Sequence, residues 1–286
     1  MHPARIHQSL AGIVLCLVLA SCGGKPPGTA GAGDSKHPDP QAVRVHGRNA
    51  TDHAIAAADA IAREGRVLAS GESASLLARI TGPCPAGVDP GAWEHEVNST
   101  LNALRAQPDP VPGLTDALLR MTEEHPDKVL RLYALQHLVF QHEREDPAMR
   151  QRISDRMVAA AMDDGGMAGA ALMLLGDLDA ATIPGDIRAQ LDDRAVSVVA
   201  DHAAPSDVRV SAIHACEARR ATAALPALRR IAADTTANTV ERRTAIHAIG
   251  TLGGPDDRAY LDALRGANPL LEPAIVPAVT RLATAP

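Results

Sequence analysis

The sequence predicts an all-α fold, a right-handed α-solenoid of about five helical hairpins over residues 91–286. Three observations predict it. The first is a repeat: Val208-Arg209 with Ser211-Ala212-Ile213-His214-Ala215 is followed 33 residues later by Glu241-Arg242 with Thr244-Ala245-Ile246-His247-Ala248. The second is periodicity. From Gly91 onward apolar residues recur three and four apart, and no segment alternates with a period of two. The third is an anchor column: Ala134-Leu135, Ala171-Leu172, Ala212-Ile213, Ala245-Ile246 and Ala278-Val279 fall 37, 41, 33 and 33 residues apart. A small residue lets neighbouring helices approach, and the branched residue beside it fills the space between repeats. A single helical hairpin cannot bury its apolar stripe, so stacked neighbours complete the core.

The chain opens on a short basic start through Arg5, then an apolar run of 11 residues from Leu10 to Ala20, then Leu19-Ala20-Ser21-Cys22. A run that short does not span a bilayer, which needs about 20 residues, and the pattern is that of a secretory signal over residues 1–21. The Leu-Ala-Ser-Cys ending resembles the lipobox of bacterial lipoproteins. The resemblance implies that Cys22 is acylated, becomes the mature N-terminus and anchors the chain to a membrane. Gly23 stands where an aspartate would imply inner-membrane retention, so the resemblance implies the outer membrane. Residues 22–50, rich in Gly, Pro, Ala and Ser, read as a flexible tether.

A helical N-terminal segment or cap occupies residues 51–90. In it Asp52 caps a helix to Ala69, a shorter helix covers Ser73 to Ile80, and a break follows over Gly82–Gly91, which holds three prolines. The solenoid then proceeds in pairs. Gly91–Ala106 and Val111–Glu124 are the first, Asp127–Gln141 and Ala148–Met162 the second, Gly166–Leu175 and Gly185–Ala200 the third. Asp207–Arg219 with Ala223–Ala233 and Val240–Leu252 with Asp256–Leu264 follow, and Leu271–Ala283 closes the array. The pattern Val208-Arg209-x-x-Ala212, with Ala248-Ile249-Gly250 and Leu252-Gly253, resembles HEAT repeats of the phycobilisome-lyase type. The likeness is specific over roughly residues 205–264 and looser over the rest of 91–286. It implies HEAT-like hairpins, an arginine that ties each repeat to the preceding turn, and second helices that line a concave binding face.

Composition narrows the partners. From Cys22 onward the formal net charge is −7, with 13 basic and 23 acidic side chains in residues 52–200 against 10 and 9 in residues 201–286. No strongly basic face is implied, and nucleic acid is not an expected partner. Trp93, Tyr133, Phe140 and Tyr260 are the only aromatic residues, which disfavours sugars and single-stranded nucleic acid. Once Cys16 leaves with the signal and Cys22 is acylated, Cys84 and Cys216 remain. An oxidising compartment permits a disulfide between them, and Cys216 reads equally well as a small buried hydrophobe.

Candidate chemistry is sparse. His214 and His247 share a repeat position, but packed helix axes lie about 8–10 Å apart and no carboxylate or cysteine recurs beside them, so column packing is the better account than metal. His95-Glu96 and His142-Glu143 begin like a zinc-protease helix, yet Ser99 and Asp146 stand where the second histidine belongs. Gly28 and Gly33 have phosphate-loop spacing, but Asp34 follows instead of a lysine. The pairs Asp163-Asp164, Asp192-Asp193 and Asp256-Asp257 read as solvated or capping groups. Arg131, Arg209 and Arg242 share one repeat position and read as a structural ladder, with Asp207 and Glu241 as partners near in sequence.

The expected function is therefore that of a lipid-anchored cell-envelope protein at the periplasmic face of the outer membrane. Its solenoid serves as a scaffold or adaptor for another envelope protein. Partner binding is expected at Arg152, Arg156, Arg188, Arg229, Arg230, Arg258 and Arg265, with Arg194 nearby. No catalytic residue, cofactor, metal or small-molecule substrate is expected. The rival expectation is an envelope enzyme or enzyme accessory, hydrolase-like, whose site the sequence does not display.

Overall fold

The computed structural model describes residues 40–163, 166–178 and 183–284. They contain 13 α-helices and two short 3₁₀ turns and no strand, as the periodicity predicts. Residues 1–21, read from the sequence as a signal, and Cys22 lie outside the described residues. Two compact units divide the rest between Asp146 and Pro147.

The first unit holds α1 (Pro40–Glu64), α2 (Ser70–Ile80), α3 (Pro90–Arg105), α4 (Leu114–Glu124) and α5 (Lys128–His142). Helix α1 packs along α3, and α3 along α5, while α2 and α4 lie against α3 and α5. The core of this unit is built on Trp93, Val97, Leu101, Leu104, Leu118, Leu130, Leu135 and Leu138, all at most 2% exposed. Two sequence expectations are corrected. Helix α1 begins at Pro40, so residues 40–50 of the predicted tether are helical, and Asp52 lies inside the helix instead of capping it. Its end is sharp because Gly65 takes the left-handed conformation (φ 65°) and the Arg66 amide reaches back to the Ile61 carbonyl. Gln107, buried, then ties the α1–α2 turn to α3: its side-chain carbonyl accepts from the Leu68 amide at 2.8 Å and its Nε2 donates to the Arg66 and Ala103 carbonyls.

The second unit holds α6 (Pro147–Met162), α7 (Ala168–Leu174), α8 (Gly185–Ala200), α9 (Ser206–Ala218), α10 (Leu225–Ala233), α11 (Thr239–Leu252), α12 (Pro255–Ala263) and α13 (Glu272–Thr284). Helices α7, α9, α11 and α13 stack in succession, and α6, α8 and α10 form a second layer against them. The hairpin read from the sequence as Asp127–Gln141 with Ala148–Met162 straddles the division, α5 belonging to one unit and α6 to the other.

The anchor residues are core residues of their own units, Ala134 of the first and the other four alanines of the second. Ala134, Ala171, Ala212, Ala245 and Ala278 are all fully buried, as are Leu135, Leu172, Ile213 and Ile246; Val279, on the last described helix, is half-buried. Gly250 and Gly169 let the stack close. A Cβ on Gly250 would lie 2.5 Å from that of Ala278, and one on Gly169 would meet the Val208 carbonyl.

The arginine ladder is present. Arg131 donates to the His125 carbonyl at 2.6 Å, Arg242 to the Ala232 carbonyl at 3.1 Å, and Arg209 to the carbonyls of Asp201 and His202. Each thus satisfies carbonyls left open where the preceding helix ends or its turn begins. Arg209 also reaches forward to Glu241, at 2.6 and 3.1 Å, on the next stacked helix. Glu241, not Asp207, is its acidic partner. Among the described residues the two cysteines are free thiols, Cys84 exposed and Cys216 buried in α9. Burial raises the Cys216 thiol pKa to about 12, with Asp192 adding to the shift.

Candidate functional site

Helical spacing decides which side chains of the second unit face one another. On α9, His214 and Glu217 are three apart and share a face. On α11, Val240, Arg243, Thr244, His247 and Thr251 follow a three-and-four spacing and form one stripe. Because α9 and α11 stack side by side, the two stripes border a cavity of about 640 Å³. Met173 of α7, Gly176 of the following turn, and Pro273 and Ala274 of α13 complete its wall.

Glu217 organises the polar part. Its Oε1 lies 2.9 Å from His247 Nδ1 and accepts from the Thr251 hydroxyl at 2.6 Å; its Oε2 lies 3.8 Å from His214 Nδ1, an ion-pair separation. Burial by itself would raise the pKa of this carboxyl. The imidazoles of His214 and His247 and the Thr251 hydroxyl outweigh burial and hold it well below the usual carboxylate range. The histidine pair seen in the repeat is therefore joined by a carboxylate that the repeat does not contain: the residue in register with Glu217 is Gly250. Among the described residues no group of three or more His, Cys, Asp or Glu side chains is arranged to hold a metal ion.

The hydroxyl that lines the cavity is already engaged, Thr244 donating to the Val240 carbonyl at 2.9 Å. Arg243 is different. It is exposed at the cavity and has no ion pair or side-chain hydrogen bond among the described residues. The wall beside it is apolar, and Val240 is 54% exposed.

The arginines expected from the sequence to bind a partner are not gathered at this cavity. Arg229 is structural: its Nε lies 2.7 Å from Asp257, which is 3% exposed and also accepts from the Gly254 amide at the start of α12. Arg258 approaches Asp262 at 4.0 Å, and Arg265 approaches Asp262 and Glu272 at 3.8 and 3.6 Å. Arg152 contacts the Met149 sulfur, Arg156 is engaged within the chain, and Arg194 reaches the Ala161 carbonyl at 3.4 Å. Arg188 and Arg230 are exposed, with no salt bridge among the described residues. The carboxylate pairs prove structural where their partners are seen, Asp192 with Arg219 at 3.0 Å and Asp257 as above.

Sequence reasoning missed Glu217 and Arg243. The signal was available in the spacing, since Val240, Arg243, His247 and Thr251 lie on one helical face. That this face borders open space is a tertiary fact.

No family model matches the chain, and neither does any curated protein sequence. Among solved structures, the X-ray structure of the Escherichia coli protein YibA aligns over 89% of this chain and 100% of its own, at 14% identity and a TM-score of 0.40. That likeness is too distant to carry fold or function across.

Proposed function

We propose that the chain is a lipid-anchored cell-envelope protein that uses its HEAT-like helical repeat to bind another protein, as adaptor or scaffold. The observation that carries this reading is the cavity between α9 and α11. It is within the ~300–1,000 Å³ typical of ligand sites, largely apolar, and bordered by an arginine that has no ion pair among the described residues. Arginine beside exposed apolar surface is the composition of a protein interface. The lipobox-like Leu19-Ala20-Ser21-Cys22 supports the anchor and the envelope location. Stacked helical repeats supply extended faces that bind chains instead of enclosing substrates.

The test is crosslinking and pull-down of the membrane-anchored protein, with a Cys22→Ser form as the unanchored control. One envelope protein recovered specifically with the anchored form is the expected result, and recovery of none removes the reading. An Arg188→Glu/Arg230→Glu form examines the competing surface on the other layer. Capture unchanged in that form keeps the partner at the cavity, whereas capture lost moves it to the arginine-bearing layer.

One observation favours a second reading, an envelope hydrolase or its accessory. The Glu217–His247 contact holds an imidazole by Nδ1 and leaves Nε2 to act as a base, an arrangement known from acyl-transfer sites. The lining offers that imidazole no serine or cysteine, so it would have to activate water. Ester hydrolysis by the Cys22→Ser protein that disappears in His247→Gln would establish this reading in place of the first.

A further inference from the structure

The chemistry of the cavity narrows the class of partner it takes, on the premise that the chain is a binding protein. Four charged or titratable groups line it, His214, Glu217, Arg243 and His247. Glu217 is engaged by His247 and Thr251, with His214 at 3.8 Å, and is 16% exposed, so its oxygens are already occupied inside the protein. Arg243 is not answered: its guanidinium is exposed and without an acidic partner among the described residues. Arg243 and His247 are four apart on α11, which sets their Cβ atoms about 5–6 Å apart on one face. With Nδ1 turned to Glu217, His247 offers Nε2 outward, and in the neutral ring this nitrogen accepts a hydrogen bond. Beside them lie Met173, Ala218, Val240, Pro273 and Ala274.

A ligand that answers all three features carries a carboxylate, an N–H donor close to it, and an apolar side chain. A short peptide segment in which an acidic residue or a C-terminal carboxylate adjoins an apolar residue has this arrangement. We propose that the cavity between α9 and α11 binds such an acidic, apolar segment of a partner protein. Arg243 pairs with its carboxylate, His247 accepts from its backbone N–H, and the wall from Met173 to Ala274 covers its apolar side chain. Guanidinium and carboxylate match as a two-point fork, which gives orientation as well as attraction. The partner's segment leaves water for a wall that is already apolar, and that burial supplies the remainder of the affinity.

The test is selection from a random peptide library with free C-termini on the full mature chain, counter-selected on an Arg243→Glu chain. Arg243 is exposed and has no ion pair among the described residues, so the variant is expected to keep the wild-type far-UV spectrum and melting temperature. An Arg243→Gln chain serves as the milder second variant. The expected result is enrichment of peptides that place Asp, Glu or the terminal carboxylate next to Leu, Ile, Val or Met. Their affinity should fall at least fivefold in Arg243→Gln, and again when the peptide carboxylate is amidated. Peptides enriched without acidic groups, affinity indifferent to Arg243, or no enrichment at all overturns the proposal. Recovery of an envelope partner in the pull-down together with any of those three outcomes leaves the adaptor reading standing and removes only this one. Failure of both the selection and the pull-down removes both.

Discussion

At the scale of single residues, the second unit is held by ion pairs placed where burial makes them matter. Glu241 is 2% exposed and meets Arg209, at 14%, by two contacts between neighbouring stacked helices. Removing one partner of such a pair strands the other charge in a poor solvent, at a cost of about 3–5 kcal/mol. Arg209→Met is therefore expected to lower the unfolding free energy by about that amount, as read by urea denaturation. The Arg209→Met/Glu241→Gln double variant should recover part of the loss, because no stranded charge remains. A double variant as unstable as the single one would mean that the carbonyl contacts of Arg209 to Asp201 and His202 carry the effect. The same logic explains why Arg229 is a poor probe of partner binding. Reversing its charge would place two like charges at the buried Asp257 and damage α12 before any partner is tested.

At the scale of elements, close helix contact sets the repeat. Gly250 faces Ala278 so tightly that an added methyl would sit 2.5 Å from the Ala278 Cβ and 2.7 Å from its Cα. Neither atom is the end of a flexible side chain, so α11 and α13 would have to separate. Overpacking of this kind costs about 1–3 kcal/mol, and Gly250→Ala is expected to lower the melting temperature accordingly. Gly71, inside α2, has nothing within 4 Å of the same added atom. Gly71→Ala is expected to be neutral or to stabilise by about 0.4–1 kcal/mol through the unfolded chain. Equal melting temperatures for the two variants would show that the stack yields where the geometry says it does not.

At the scale of the whole molecule, each compact unit contains a titratable group whose shifted pKa makes it respond to acid, with different windows. In residues 40–146 it is His137, 3% exposed, whose pKa falls from 6.5 to about 3 because burial, with Arg105 nearby, disfavours its charged form. The unfolded chain binds a proton there below pH 6.5 and the folded chain does not until about pH 3. Stability of this unit therefore declines as pH falls through that interval, at up to about 1.4 kcal/mol per pH unit. In residues 147–284 it is Glu217, whose lowered pKa gives stability that is fully present above 4.5 and is lost only below it. Trp93, the single tryptophan, is buried in the first unit and reports on it. Urea midpoints followed by Trp93 fluorescence are expected to fall between pH 6.5 and 4.5, and to stay level over that range in His137→Leu. A wild-type midpoint independent of pH in that window would show that the His137 site opens to water.

Much of this protein is legible in the sequence. Apolar periodicity of three and four fixes an all-helical chain, because only a helix turns that spacing into one face. The alanines at 171, 212, 245 and 278 mark the buried seam of the second unit, and Ala134 is likewise buried in the first, because only small residues allow helices to touch there. The arginines at 131, 209 and 242 mark the ladder, because their position in each repeat puts them beside the preceding turn. Tertiary structure alone decided the rest. The sequence does not show that α1 starts at Pro40, since the residues ahead of Asp52 have weak helical signals and take their place in an element that packs on α3. It does not show that Glu217 of one repeat closes on His247 of the next, because that contact spans 30 residues and depends on how far α9 is rotated against α11. Nor does it separate arginines with partners from those without. Arg229 and Arg243 look alike as letters, and only the folded neighbourhood pairs the first with Asp257 and leaves the second without an ion pair among the described residues.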